Sequence, residues 1–158
     1  VDIEENPVDI NRDAAKWGVV GRIGYFQSPG VFTATKMGKG KVTAAVEDLI
    51  AQSYVSVEPG PPDPENSRVR LTYPVLAADG ASTSDILVVI RDKHNNPVPG
   101  VAVTLISDRQ VDTIVQPDPT NKEGVSRGSI CSGEPGTSTV TALIGGSPIP
   151  VKAEVRFE

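Results

Sequence analysis

Apolar and polar positions alternate with a period of two over most of the second half of the chain. In residues 151–157, Val151, Ala153, Val155 and Phe157 fall on one side, and Lys152, Glu154 and Arg156 on the other. Successive strand side chains point to opposite faces, so this pattern predicts a strand with one face in a core. Residues 137–144 repeat it, with Val140, Ala142 and Ile144 opposite Thr137, Thr139 and Thr141. Val101, Val103 and Leu105 share a face, and residues 68–73 also alternate. The continuous run Ile86-Leu87-Val88-Val89-Ile90 predicts a strand covered on both faces or shared between sheets. Residues 111–115 and 125–131 predict two more strands, although Arg127 and Gly128 interrupt the second. Residues 92–97 read as a turn and 117–124 as a polar loop. Seven short strands in about ninety residues predict a Greek-key sandwich.

The first half is shorter but follows the same logic. Strands are predicted at 17–20 with a core tryptophan, at 30–34 with Phe32 and Ala34 inward, at 41–46 with Val42, Ala44 and Val46 inward, and at 53–57 with Val55 and Val57 inward. Residues 47–52 are read as a loop in preference to a helical turn. Gly21-Arg22-Ile23-Gly24 and Gly38-Lys39-Gly40-Lys41 read as hairpin turns; no phosphate-loop ending or following helix accompanies them. One spacing occurs twice: Gly38 precedes Val42-Thr43-Ala44 as Gly136 precedes Val140-Thr141-Ala142. A short Gly-Val segment stands before each, Gly30-Val31 and Gly124-Val125. Two copies of a strand pattern predict two β units in tandem. Between them, four prolines in the eight residues 58–65 cannot continue a helix or a central strand. Residues 59–65 are therefore expected as a stiff linker between units 1–58 and 66–158.

Composition narrows the function classes. A net charge of −5 and a pI near 4.9 argue against nucleic acid and anionic membranes. Aromatics, at 4%, are too scarce for extended sugar- or base-stacking surfaces. No run approaches the ~18 apolar residues of a membrane span. The single cysteine, Cys131, cannot close a loop within the chain and is expected as a small buried strand residue. The start at Val1 without a signal segment fits a processed or excised chain.

Candidate chemistry is sparse. Asp79, Asp85, Asp92, Asp108, Asp112, Asp118 and Glu123 lie in or beside predicted loops, yet none falls in a calcium-loop spacing. Asp63 and Glu65 are the carboxylates best placed for an ion between units. His94 sits in a turn with Asp92 and Lys93, near Ser82 and Ser84, without the order of a nucleophile–base site. Lys36, Lys39 and Lys41 read as the solvent face of a turn guarding an edge. Trp17 is expected as the core plug of the first unit. Tyr25, Phe26 and Tyr54 become a binding-face candidate if two of them prove exposed together. No residue is assigned as catalytic, cofactor-binding or metal-ligating, and no cofactor is expected.

Four segments in order carry a resemblance: residues 84–92, Asn95-Asn96-Pro97-Val98-Pro99-Gly100 with the strand to Thr104, Asn121-Lys122-Glu123-Gly124-Val125, and residues 134–142. They are similar to bacterial immunoglobulin-like domains of the intimin/invasin type. The first half resembles the back part of a related repeat, through Trp17, residues 21–24, 30–35 and 38–44. A whole repeat would have two further strands before about Val8. The fold class is thus all-β, two tandem Ig-like Greek-key sandwich units with the first truncated. The resemblance implies a non-catalytic, extracellular, cell-surface structural or adhesion module, acting as a spacer or assembly unit. Implied partners are neighbouring Ig-like modules or subunits, including strand addition to the incomplete unit, and a host or surface protein or glycan. The alternative is an accessory carbohydrate- or protein-binding module of a secreted enzyme.

Overall fold

The computed structural model describes residues 12–158, and the chain falls into two compact units, Val1–Glu58 and Pro59–Glu158. The described residues are strands and loops, apart from 3-10 turns at Arg12–Ala14 and Pro64–Asn66.

The first unit contains β1 (Lys16–Val20), β2 (Gly24–Ser28), β3 (Val31–Ala34), β4 (Gly38–Val46) and β5 (Leu49–Val57). One antiparallel sheet has the order β1-β4-β5, and β2 and β3 form a separate hairpin. Residues 47–52 are not the expected loop. Val46 pairs with Leu49, so the connection is only Glu47-Asp48, and Glu47 takes the positive φ of 51°. Two-residue hairpin turns need this left-handed backbone, which few side chains signal. Gly38-Lys39-Gly40-Lys41 is also not a turn: it opens β4, with Lys39 opposite Ser56 and Lys41 opposite Tyr54. Gly40 is required there, because a Cβ would stand 2.6 Å from both Val20 O and Ile23 Cδ1. Ile23 is the one buried hydrophobic residue described in this unit, at 2% exposure. Trp17, expected as a core plug, is half-buried, and Ala34, expected inward, is exposed.

The second unit contains β6 (Arg68–Leu71), β7 (Val75–Leu76), β8 (Ser84–Val89), β9 (Val103–Ser107), β10 (Asp112–Val115), β11 (Val125–Ser132), β12 (Gly136–Ile144), β13 (Ser147–Pro148) and β14 (Ala153–Phe157). One sheet has the order β10-β11-β8-β6; in the other, β12 lies between β9 and β14, and β7 pairs parallel to β14. Between them lies the core: Val69, Ile86, Val88, Ile90, Val103, Leu105, Ile130, Val140, Ala142, Ile149, Val155 and Phe157 are all at or below 6% exposure. Burying that apolar surface is what stabilises the sandwich. The alternation in β12 and β14 agrees with the period-two reading, except that Val151 precedes β14 and is 39% exposed. In β11 the inward set is Ser126, Gly128, Ile130 and Ser132. Cys131, expected buried, therefore falls on the outer side and is half-buried.

The strand pairings of the two units coincide. Gly38 faces Val57 as Gly136 faces Phe157, and Gly40 faces Val55 as Ser138 faces Val155. Trp17 faces Ala44 as Leu105 faces Ala142. Phe26 faces Phe32 as Ile114 faces Ile130. By this register Val31 holds the place of Ser129, so the two Gly-Val segments are not equivalent.

Candidate functional site

The densest polar cluster surrounds Asp92, which is 1% exposed. Its Oδ1 accepts the backbone N–H groups of His94 and Asn96, both at 2.8 Å. Its Oδ2 accepts Asn96 Nδ2 and the Gly60 N–H, both at 2.9 Å. Burial alone pushes the carboxyl up, but these hydrogen bonds outweigh it and hold Asp92 below the usual carboxylate range. Around it, Asp63 N donates to Arg91 O at 2.7 Å, Asn66 Nδ2 donates to Asp92 O at 3.3 Å, and Ser67 Oγ donates to Asp63 O at 2.7 Å. The proline-rich segment expected as a linker is thus folded onto the second unit, with Pro62 bridged to Asp92. Proline supplies no N–H, so the segment is tied down through Gly60, Asp63, Asn66 and Ser67. Sequence reasoning missed this site. The one signal was Asp92 ahead of Asn95-Asn96 in a turn, where a short carboxylate caps following N–H groups.

The remaining carboxylates are spent separately. Asp79 accepts Ser82 N, Ala81 N and Ser82 Oγ, which lower its pKa in that order of chain contacts, backbone first. Asp108 accepts Thr139 N at 2.7 Å, and that bond lowers its pKa. Asp112 opens β10, inside the strand predicted over 111–115; there Ser107 Oγ donates to Oδ2 at 2.5 Å and Arg109 lies 3.8 Å from Oδ1. Asp85 likewise sits in β8, exposed. Asp118 and Glu123 are exposed in the loop before β11. Asp63 caps the short turn after it by accepting Glu65 N at 3.0 Å, and Glu65 is exposed. Among the described residues no group of three or more His, Cys, Asp or Glu side chains is placed to hold a metal ion. His94 is exposed. Ser82 bonds Asp79, and the buried Ser84 Oγ accepts the Tyr73 N–H, so these residues form no nucleophile–base pair.

In the first unit Trp17 lies 5.2 Å from Phe26, which lies 5.6 Å from Phe32, and Trp17 Nε1 donates to Arg12 O at 3.1 Å. Beside Trp17 an apolar trough of about 420 Å³ is lined by Ala15, Ala44, Val46, Leu49 and Ala51. Lys41 Nζ donates to Gln52 Oε1 at 2.9 Å, while Lys36 and Lys39 are exposed. Tyr25 (53%) and Tyr54 (84%) are exposed, but Tyr25 is in the β2–β3 hairpin and Tyr54 in the β1-β4-β5 sheet.

Two sheets, antiparallel apart from the β7–β14 pair and packed face to face with crossing connections, define an immunoglobulin-like β-sandwich. Residues 66–158 match the bacterial Ig-like domain (group 1) model, and the chain belongs to that family. No curated protein sequence matches it. Among solved structures it is similar to the Escherichia coli adhesin FdeC, with 19% identity and a TM-score of 0.66 over 99% of this chain and 55% of that one. It is also similar to Yersinia pseudotuberculosis InvD, with 18% identity and a TM-score of 0.65 over 99% of this chain and 49% of that one. A third is invasin, described as a bacterial integrin-binding protein, with 20% identity and a TM-score of 0.60 over 99% of this chain and 34% of that one. The chain spans about half the length of the first two. The likeness establishes a shared fold with intimin/invasin-type Ig-like domains.

Proposed function

We propose that this chain is a non-catalytic segment of an extracellular, cell-surface adhesion or structural protein, and that it serves as a stiff spacer. The observation that carries the reading is the staple at Asp92. Only Glu58 separates the end of β5 from the proline-rich segment, and that segment is bonded to the second unit from Gly60 onward. A junction built this way has little free length, whereas a flexible linker allows its modules to move independently. Family membership and the shared fold with FdeC, InvD and invasin support placement on a bacterial surface. The partners of such a segment are neighbouring Ig-like modules and a host or surface protein or glycan. The accessory-module alternative calls for exposed aromatics on one face, and the two exposed tyrosines of the first unit lie on different sheets.

Spin labels at cysteines introduced at Lys39 and Lys93, in a Cys131→Ser background, test the spacer reading. A narrow label-to-label distance distribution is expected, broadening when Asp92 is changed to Asn. A broad distribution in the unaltered junction would sink it.

A further inference from the structure

The edge strands of the second unit are β6, β7, β9 and β10. An open edge carries unpaired backbone N–H and C=O groups and accepts another strand unless something guards it. Three of these edges are guarded. β6 presents the exposed Arg68 and Arg70. β7 is only two residues long. β9 is blocked by the side-chain amide of Gln116: Leu105 N donates to its Oε1 and its Nε2 donates to Leu105 O, both at 2.8 Å. β10 has no such guard, and among the described residues it pairs with β11 alone. Its outer side carries the exposed Thr113 and Val115 (60%), with Val111 (45%) just ahead of the strand. The one charged side chain of β10, Asp112, is fully buried on the inner side against Ser107. The outer side of this edge is therefore uncharged and β-branched throughout.

We propose that β10 is a self-recognition edge, which pairs antiparallel with β10 of a second copy of this chain about a two-fold axis at Thr113. Residues directly opposite in an antiparallel pair share a face. A symmetric pair that keeps both cores on one side of the joined sheet is therefore centred on a residue, not between two. Centred on Thr113, Val111 meets Val115, Asp112 meets Ile114, and the two threonines meet each other. Valine pairs and a threonine pair are favourable cross-strand contacts, and no like charges oppose each other on the outer side. A centre at Asp112 would instead set Val115 against Arg109, and one at Ile114 would set Val111 against Pro117. Proline has no N–H to donate, so the ladder ends there. This match of the strand to its own reverse is what selects a second copy as the partner, because a two-fold contact must complement itself. Antiparallel pairing reverses one copy relative to the other, so the two chains enter the contact from opposite directions. So short an edge buries less than the roughly 1,200 Å² of a standard interface, and a single pair is weak. Many chains displayed together would hold through many such pairs at once.

Cys131 stands opposite Thr113 in the β10–β11 register and is half-buried, so the test uses a Cys131→Ser background. Thr113→Cys brings two thiols face to face across the axis, within the roughly 4.4–6.8 Å between Cα atoms that a disulfide spans. Under mild oxidation this variant is expected to form covalent dimers at least about tenfold faster than Val115→Cys, whose thiol meets Val111 of the other copy and not its own counterpart. A mixture of Val111→Cys and Val115→Cys chains should cross-link as readily as Thr113→Cys. Adding Val115→Lys to Thr113→Cys puts charge on the edge and should slow cross-linking roughly tenfold, with the unfolding midpoint unchanged. Sedimentation of the unaltered chain at rising concentration should show reversible dimers that Val115→Lys weakens. Equal rates for Thr113→Cys and Val115→Cys would overturn the proposal, as would the absence of covalent dimers from Thr113→Cys. Dimers indifferent to Val115→Lys would place self-association elsewhere on the chain and overturn it too.

Discussion

Asp92 works as a residue because its two oxygens meet four N–H groups and no opposite charge. Asparagine has one acceptor oxygen in place of two and would turn donors toward donors. Asp92→Asn is therefore expected to destabilise the second unit by about 2–3 kcal/mol in urea unfolding. The pH dependence carries a sign that can be checked. The folded-state pKa is lowered, so the folded form holds fewer protons than the unfolded chain. The stabilisation is complete above the ordinary carboxylate pKa of about 3.9 and fades as pH falls through the lowered value. Unfolding free energy should drop on acidification across that window, and drop less in Asp92→Asn; equal slopes would remove Asp92 from the account. A second residue-scale test uses one residue type at one pairing position. Val140 is 0% exposed and Val42 half-buried. Val140→Ala is expected to cost about 2 kcal/mol, and Val42→Ala less than about 1, measured as separate unfolding midpoints.

At the scale of elements, alternation made most of the second unit legible: β12 and β14 lie where period-two burial put them, whereas the part of the run expected to be covered on both faces that lies in β8 has only Ile86 and Val88 buried, Leu87 and Val89 being half-buried on the outer side. What stayed hidden depends on contacts between distant residues or on rare backbone. β5 begins at Leu49 because Glu47 adopts a conformation that nothing in its side chain announces. β11 looked broken at Gly128, yet the glycine faces inward and is needed. A Cβ there would meet Leu105 Cδ1 and Val115 O, each at 2.6 Å. The carbonyl belongs to backbone paired across the β10–β11 ladder and cannot swing aside. Gly128→Ala is expected to cost about 1–3 kcal/mol through overpacking, read as a lower urea midpoint with unchanged slope. A neutral result would mean that the sheets separate more easily than the close packing here implies. The candidate site was the least legible part, since the partners of Asp92 come from residues 60 and 94–96, which no local pattern joins.

For the whole molecule, the division into compact units falls before Pro59, so the proline-rich segment belongs with the sandwich that follows it. This assignment has a consequence for where the second unit can be cut. A chain of residues 59–158 retains Gly60, Asp63, Asn66 and Ser67, and is expected to keep the unfolding midpoint of the second unit in the full chain. A chain of residues 67–158 loses the Gly60 bond to Asp92, the Asp63 bond to Arg91 O and the Asn66 bond to Asp92 O. It should be less stable by about 1–3 kcal/mol, since each lost bond also leaves an acceptor to be satisfied by water. Because Asp92 and the segment share bonds, their effects should not add. Asp92→Asn should therefore cost less in residues 67–158 than in residues 59–158. If the two costs proved equal, Asp92 would be organising only its own turn, and the stiffness proposed for the junction would need another source.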